Sequence, residues 1–287
     1  MIKLNIGSLQ EKVDYHKNCL KSKINLPPVS KYNTEEILEA KPEKLKEIAI
    51  WFSSLDDTTQ KEFDFFIDLY KNFTTKKKEY NAYDLAKSLS VNSCVYCNRN
   101  YTFTVIKSDK EKIMRPDFDH FYNKDKYPIL ALSFYNLIPS CTECNRTLKQ
   151  KKDFTIDTHI HPYYDSLDDY AKFKLKINKV DFYRNENSIE ILFNSKNKKA
   201  QNSINDLELE YIYNHGYKDI VKELLQKRVM YSDSYIDELF DKYSGILFSS
   251  KEELMRLITC GYISDDDINK RPLSKLIKDI SEDLGFI

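Results

Sequence analysis

Apolar residues recur along this chain with two different spacings, and the change from one to the other marks out its regions. In the first ninety residues the spacing is helical. Ile48, Trp51, Phe52 and Leu55 fall three or four apart, and so do Phe63, Phe66, Ile67 and Tyr70 within 61–73. Such stripes predict helices with one apolar face, read here as core packing. Before them, residues 1 to 30 read as a short arm, a helical piece and a break at Pro27-Pro28. Thr34-Glu35-Glu36-Ile37 starts a helix with acids in its first turn, and Pro42 interrupts it. Tyr83 to Leu89 is a further helix.

At Tyr101-Thr102-Phe103-Thr104-Val105 the spacing becomes two, which predicts a strand rich in β-formers. Ser108-Asp109-Lys110 is a plausible turn. Leu130 to Tyr135 is apolar support, short helical or extended. Asn136 to Pro139 is a returning strand, and 142–149 begins a helix. Phe173, Leu175 and Ile177, then Ile189, Ile191 and Phe193, alternate about a turn at 184–187 and predict a second β element. From 204 to 283 the pattern is helical again, with Leu207, Tyr211, Tyr217, Val221, Leu224 and Leu225 on one stripe. Leu254, Leu257 and Ile258 form another, and Leu276, Ile277 and Ile280 a last one after Arg271-Pro272-Leu273. The expected class is α+β. A helical region at 1–90 and another at 201–287 flank a core at 91–200, with the best boundary near 195–204.

The chain has 287 residues, with Lys+Arg and Asp+Glu equal at 45. Net charge therefore gives no overall pull toward nucleic acid. Residues 94–152 differ: they hold eleven basic residues against six acidic ones. That local excess suits phosphate binding, or else a solvated face. The run Lys76-Lys77-Lys78 has the same two readings. With no secretory leader pattern and no apolar run near the length of a membrane span, a cytoplasmic chain is expected.

Six cysteines stand at 19, 94, 97, 141, 144 and 260. Cys94-Val95-Tyr96-Cys97 and Cys141-Thr142-Glu143-Cys144 are CxxC pairs. That spacing lets two thiolates converge on one ion, so the four together read as a tetrahedral zinc site. Buried free thiols are the alternative. Between and beside the pairs lie Asp119-His120, Asn136 and Asn145.

Asp119-His120, then Asn136, then Cys144-Asn145, resembles the HNH nuclease motif. The resemblance covers about a fifth of the chain. It implies a ββα-metal (His-Me finger) core, a β-hairpin and a helix around one divalent ion, here with a four-cysteine zinc frame. The longer string from Phe118 to Asn145, with Tyr127-Pro128 and Asn136-Leu137-Ile138-Pro139, is similar to HNH subunits of bacterial Septu-type anti-phage systems, which work beside an ATPase. One departure stands out. Many HNH proteins carry a lysine three residues after the last asparagine, whereas here that place is Leu148 and the lysine is Lys149.

The resemblance implies a metal-dependent endonuclease that leaves 5′ phosphates, with zinc as a structural ion and Mg²⁺ or Mn²⁺ as the catalytic one. His120 would take the proton from water, since imidazole is part-neutral near pH 7. Asp119 and Asn145 would give the divalent ion hard oxygens. Asn136 would hold the hairpin loop and keep His120 aimed. Neighbours on a strand point to opposite faces, so Asp119 and His120 need a twisted or ending strand to share one site. This chemistry uses no ribose hydroxyl, so DNA and RNA are both admitted as substrates. His161 either contacts the scissile phosphate, caps the site or packs as a structural histidine, and His159 has a weaker claim to the same roles. His16 and His215 read as ordinary. Tyr122 and Tyr127 could stack on bases or support the core. The alternative function is a zinc-framed nucleic-acid-binding adaptor with no catalysis.

Overall fold

The computed structural model describes all of the chain except residues 1, 5, 76–78 and 109–110 and the side chain of Asn194. The lysine run at 76–78 and most of the turn at 108–110 lie outside the described residues. The chain divides into two compact units, Met1–Ser166 and Leu167–Ile287. Among the described residues no helix is long and apolar enough to cross a membrane.

In the first unit six helices precede the strands: α1 (Leu9–Leu20), α2 (Thr34–Leu38), α3 (Pro42–Ser53), α4 (Asp57–Lys61), α5 (Phe65–Thr75) and α6 (Ala82–Leu89). Asn33 caps α2 through a reciprocal bond pair with Glu36, satisfying amides that a helix start leaves open. Pro42 does not break a longer helix but opens α3 at its first position, where its missing N–H costs nothing. The helix expected over 61–73 is divided by a turn that still buries Phe63 completely. Three antiparallel strand pairs follow among the described residues. The strand expected over 101–105 starts later: β1 (Val105–Ser108) pairs antiparallel with β2 (Glu111–Met114), while Tyr101 makes only an isolated bridge to Ser93. β3 (Asp117–His120) pairs antiparallel with β4 (Leu137–Ser140). Between them, residues 123–127 form a polar, partly exposed loop and residues 128–136 are buried support, with short 3-10 turns at Pro128–Leu130 and Phe134–Asn136. A π-helix, Glu143–Lys149, completes the motif.

In the second unit, β5 (Ala171–Ile177) and β6 (Ile189–Ser195) form a seven-pair hairpin. It packs with α7 (Lys198–Asp206), α8 (Leu209–Gly216), α9 (Lys218–Met230) and α12 (Ser274–Asp283), α10 (Asp233–Tyr243) and α11 (Lys251–Thr259) completing the unit. This hairpin, grouped by the sequence with the 91–200 core, lies within the unit Leu167–Ile287. Its apolar face, Phe173, Ile189 and Ile191, is covered by the C-terminal helices, and Asp279 of α12 accepts the Phe173 amide at 2.8 Å.

Candidate metal centre and active site

The two CxxC pairs meet in space. The Sγ atoms of Cys94, Cys97, Cys141 and Cys144 all lie within 4.8 Å of one another, and all four residues are buried. Sulfurs placed 2.3 Å from a central zinc stand roughly 3.8 Å apart. The Cys97–Cys141 separation is 3.9 Å. The four cysteines therefore fit a zinc ion. Local backbone builds each half. Asn98 takes a left-handed conformation (φ 53°), which asparagine tolerates, and its amide returns to the Cys94 carbonyl at 2.7 Å, closing the first knuckle. The Cys141 amide donates to Cys94 Sγ at 3.3 Å and the Arg99 amide to Cys97 Sγ at 3.4 Å. The N-terminal arm lies along this knuckle, with the Ile2 amide 2.7 Å from the Val95 carbonyl.

His120 ends β3. Its Nε2 lies 2.9 Å from the Ala131 carbonyl. A carbonyl only accepts, so Nε2 carries the proton and Nδ1 keeps its lone pair. The ring is 6% exposed, and Tyr70 of α5 packs edge-on against it at 4.4 Å. Burial lowers the His120 pKa to about 3, which leaves the imidazole neutral near pH 7. The carbonyl that aims it belongs to a tightly held loop. Asn136, fully buried, accepts the Tyr122 amide at 2.7 Å and donates to the Tyr122 and Leu130 carbonyls, both at 3.0 Å. His16 of α1 donates from Nε2 to the Leu132 carbonyl at 2.8 Å, while its Nδ1 meets the Tyr80 hydroxyl at 2.9 Å. His16, which reads as ordinary in the sequence, thus grips the residue beside Ala131. Nothing in its local pattern signals this contact across 116 residues.

Asp119 does not share a face with His120. β3 and β4 pair in regular register here, Asp119 opposite Ile138 and His120 opposite Leu137. Without a bulge or twist the two side chains go to opposite faces. Asp119 is 3% exposed, and its oxygens are already engaged. The Tyr96 hydroxyl donates to Oδ2 at 2.6 Å, and Lys149 Nζ lies 3.3 Å from Oδ1 and 3.1 Å from Oδ2. Burial raises the Asp119 pKa, against the opposing pull of Lys149 and Tyr96. Asn145 is half-buried on the π-helix, with its backbone amide on the Cys141 carbonyl at 3.0 Å. Where the sequence leads one to expect a divalent ion between Asp119 and Asn145, the Lys149 ammonium stands against the Asp119 carboxylate.

The shifted lysine has a structural counterpart. The Gln150 amide bonds to the Asn145 carbonyl at 3.1 Å, five residues back, so the helix is π and not α at this point. A π turn takes in one residue more than an α turn. Position +4 from Asn145 then falls on the side that +3 would take in an α-helix, and Lys149 comes inward.

The other expected residues lie apart from these groups or behind them. His161 is 1% exposed and packs on Phe121 with ring centroids 4.4 Å apart. His159 stacks on Phe154 at 3.7 Å. Tyr122 is buried against Phe121 and Tyr127, a supporting place and not a stacking surface. His215 stacks on Tyr211 in the second unit.

No protein-family model matches the chain, and no solved structure matches it. Among curated proteins the chain is similar to the Septu protein PtuB of Bacillus thuringiensis, at 33% identity over 84 residues. The match spans 29% of this chain and 29% of that protein, so the chain matches less than a third of this relative's length.

Proposed function

We propose that this chain is an HNH-type endonuclease that hydrolyses phosphodiester bonds of nucleic acid as part of a bacterial anti-phage defence system, working with an ATPase subunit. The observation that carries the reading is the orientation of His120: its Nε2–H is committed to the Ala131 carbonyl, which leaves the Nδ1 lone pair unused, at the end of a hairpin framed by four clustered cysteines. A neutral, oriented imidazole is the group that removes a proton from an attacking water. Nδ1 is the atom that would accept it. Zinc at the four cysteines would hold the hairpin and the following helix together and take no part in the reaction. Arg146, largely exposed on that helix and paired with Asp117 at 3.0 Å, would be the basic side chain within reach of an anionic backbone. Asp119 is engaged by Tyr96 and Lys149, and no step is routed through a divalent ion. The defence role and the ATPase partner rest on the similarity to the Septu protein alone.

Two observations favour a second reading, the zinc-framed adaptor that binds nucleic acid without cutting it: the small exposure of His120 and the engaged state of Asp119. One experiment separates the two. The purified chain, alone and with the product of the neighbouring ATPase gene, is incubated with plasmid, single-stranded DNA and total tRNA in Mg²⁺ or Mn²⁺. Cleavage that disappears in His120→Ala supports the nuclease. Binding without cleavage, or cleavage that survives the substitution, supports the adaptor.

A further inference from the structure

Lys149 is 1% exposed, yet its ammonium is well provided for. Nζ donates to the His120 carbonyl at 2.7 Å, meets both Asp119 oxygens at 3.1 and 3.3 Å, and sits 4.9 Å from the centre of the Phe154 ring. An ammonium has three donors and no acceptor. Here they are directed at oxygens inside the fold, and an aromatic face covers the group. Asp119 is held on its other side by Tyr96. A basic side chain that reads phosphate must reach solvent, and this one is turned the opposite way by the π-helix.

We propose that Lys149 is a positioning residue of the hydrolytic centre. It holds the Asp119 carboxylate and the His120 backbone carbonyl to the helix, so that Asp119 serves as its counter-ion and not as a metal ligand. The proposal rests on the nuclease reading above. Its physical content is that one buried ammonium ties the last two residues of β3 to the helix that carries Cys144. The position of the His120 ring then depends on a charge that substrate never touches. Small displacements of a reacting group cost on the order of a hundredfold in rate.

The test compares the full chain with Lys149→Met, Asp119→Asn and the double variant Asp119→Asn/Lys149→Met. The double variant leaves no unpaired charge inside, which guards against simple misfolding. Zinc content and melting temperature report the fold. The expected result is a loss in kcat of about a hundredfold in Lys149→Met, with KM and the salt dependence of binding unchanged. The double variant should be no slower than the worse single one, because the two groups act as a unit. Mn²⁺ affinity, read by electron paramagnetic resonance without substrate, should be the same in all four proteins.

A raised KM with unchanged kcat, together with a salt slope reduced by about one, would make Lys149 a phosphate contact and overturn the proposal. Mn²⁺ affinity lost in Asp119→Asn but kept in Lys149→Met would make Asp119 a metal ligand and overturn it as well. Unchanged kcat and KM beside a lower melting temperature would reduce the pair to a fold-stabilising role. A parent chain with no cleavage fails the nuclease reading first, and the proposal falls with it. An active parent with unaffected variants fails the proposal alone.

Discussion

The carbonyl oxygen of Ala131 sits 2.9 Å from Nε2 of His120 and sets which nitrogen of that ring is free. Its neighbours in the chain are held in the same way. Asn136 takes the Leu130 carbonyl and His16 takes the Leu132 carbonyl. Three successive carbonyls of one loop are thus each bonded to a buried side chain from a different part of the first unit. The loop is fixed on three sides, and His120 is aimed by a fixed object.

Asn136→Ala removes three side-chain bonds from a site with no solvent to replace them. Each such bond contributes about 1 kcal/mol net, and more where a partner is left unsatisfied. Urea unfolding should show a loss of about 3 kcal/mol, and cleavage should fall with it. A variant within about 0.5 kcal/mol of the parent, in the range of an ordinary surface change, would remove Asn136 from this role.

His16→Leu keeps the ring's apolar bulk near Phe73 and Phe134 but leaves the Leu132 carbonyl and the Tyr80 hydroxyl unpaired. A cost of roughly 1–3 kcal/mol is expected. Because Ala131 is the adjacent residue, kcat should fall while KM for nucleic acid stays the same. A change confined to KM would contradict the link between α1 and the His120 ring.

Burial lowers the His16 pKa to about 4 and the His161 pKa to about 3. Both are neutral in the folded chain where an unfolded histidine, with a pKa near 6.5, begins to charge. The unfolded state binds more protons between these values, so stability must fall as pH drops from about 6.5 toward 4. For His16 the loss by pH 4 is about 3 kcal/mol, at 1.36 kcal/mol per pKa unit. Unfolding free energies measured at pH 7, 5.5 and 4.5 should decline in the parent and decline less steeply in His16→Gln. Equal slopes in the two proteins would show that His16 is not the titrating group.

The four-cysteine cluster should carry zinc in near-stoichiometric amount by elemental analysis. A structural zinc contributes on the order of 10 kcal/mol to a small domain, comparable to its whole stability. Cys97→Ser, or a strong chelator, should therefore release the metal and collapse the near-ultraviolet signal of the first unit. Cys260→Ser, at an exposed and solitary cysteine, should do neither. Retention of zinc and structure in Cys97→Ser would mean that these thiols do not hold the ion.

Some of this was legible without coordinates because it depends on distances set along the backbone. A CxxC turn keeps its two sulfurs within reach of one ion. Phe173, Leu175 and Ile177 alternate against Ile189, Ile191 and Phe193 because a half-covered hairpin has a period of two. Helix stripes such as Phe66, Tyr70 and Phe73 follow from 3.6 residues per turn. The order Asp119-His120, Asn136, Asn145 was enough to single out the strand pair and helix on which the proposed site stands.

What the side chains do there was decided by contacts between distant parts of the chain. Whether Asp119 faces His120 or its opposite side depends on strand register, and regular pairing with Ile138 and Leu137 sends the two apart. Lys149 follows Asn145 by one residue too many for an α-helix, and only the π turn brings it to Asp119. His16 reaches Leu132 across 116 positions, and Tyr70 reaches His120 across 50. Local pattern records the period of an element and the residues it can bury. It does not record which carbonyl a buried donor will meet, because that choice belongs to the packing of one element on another.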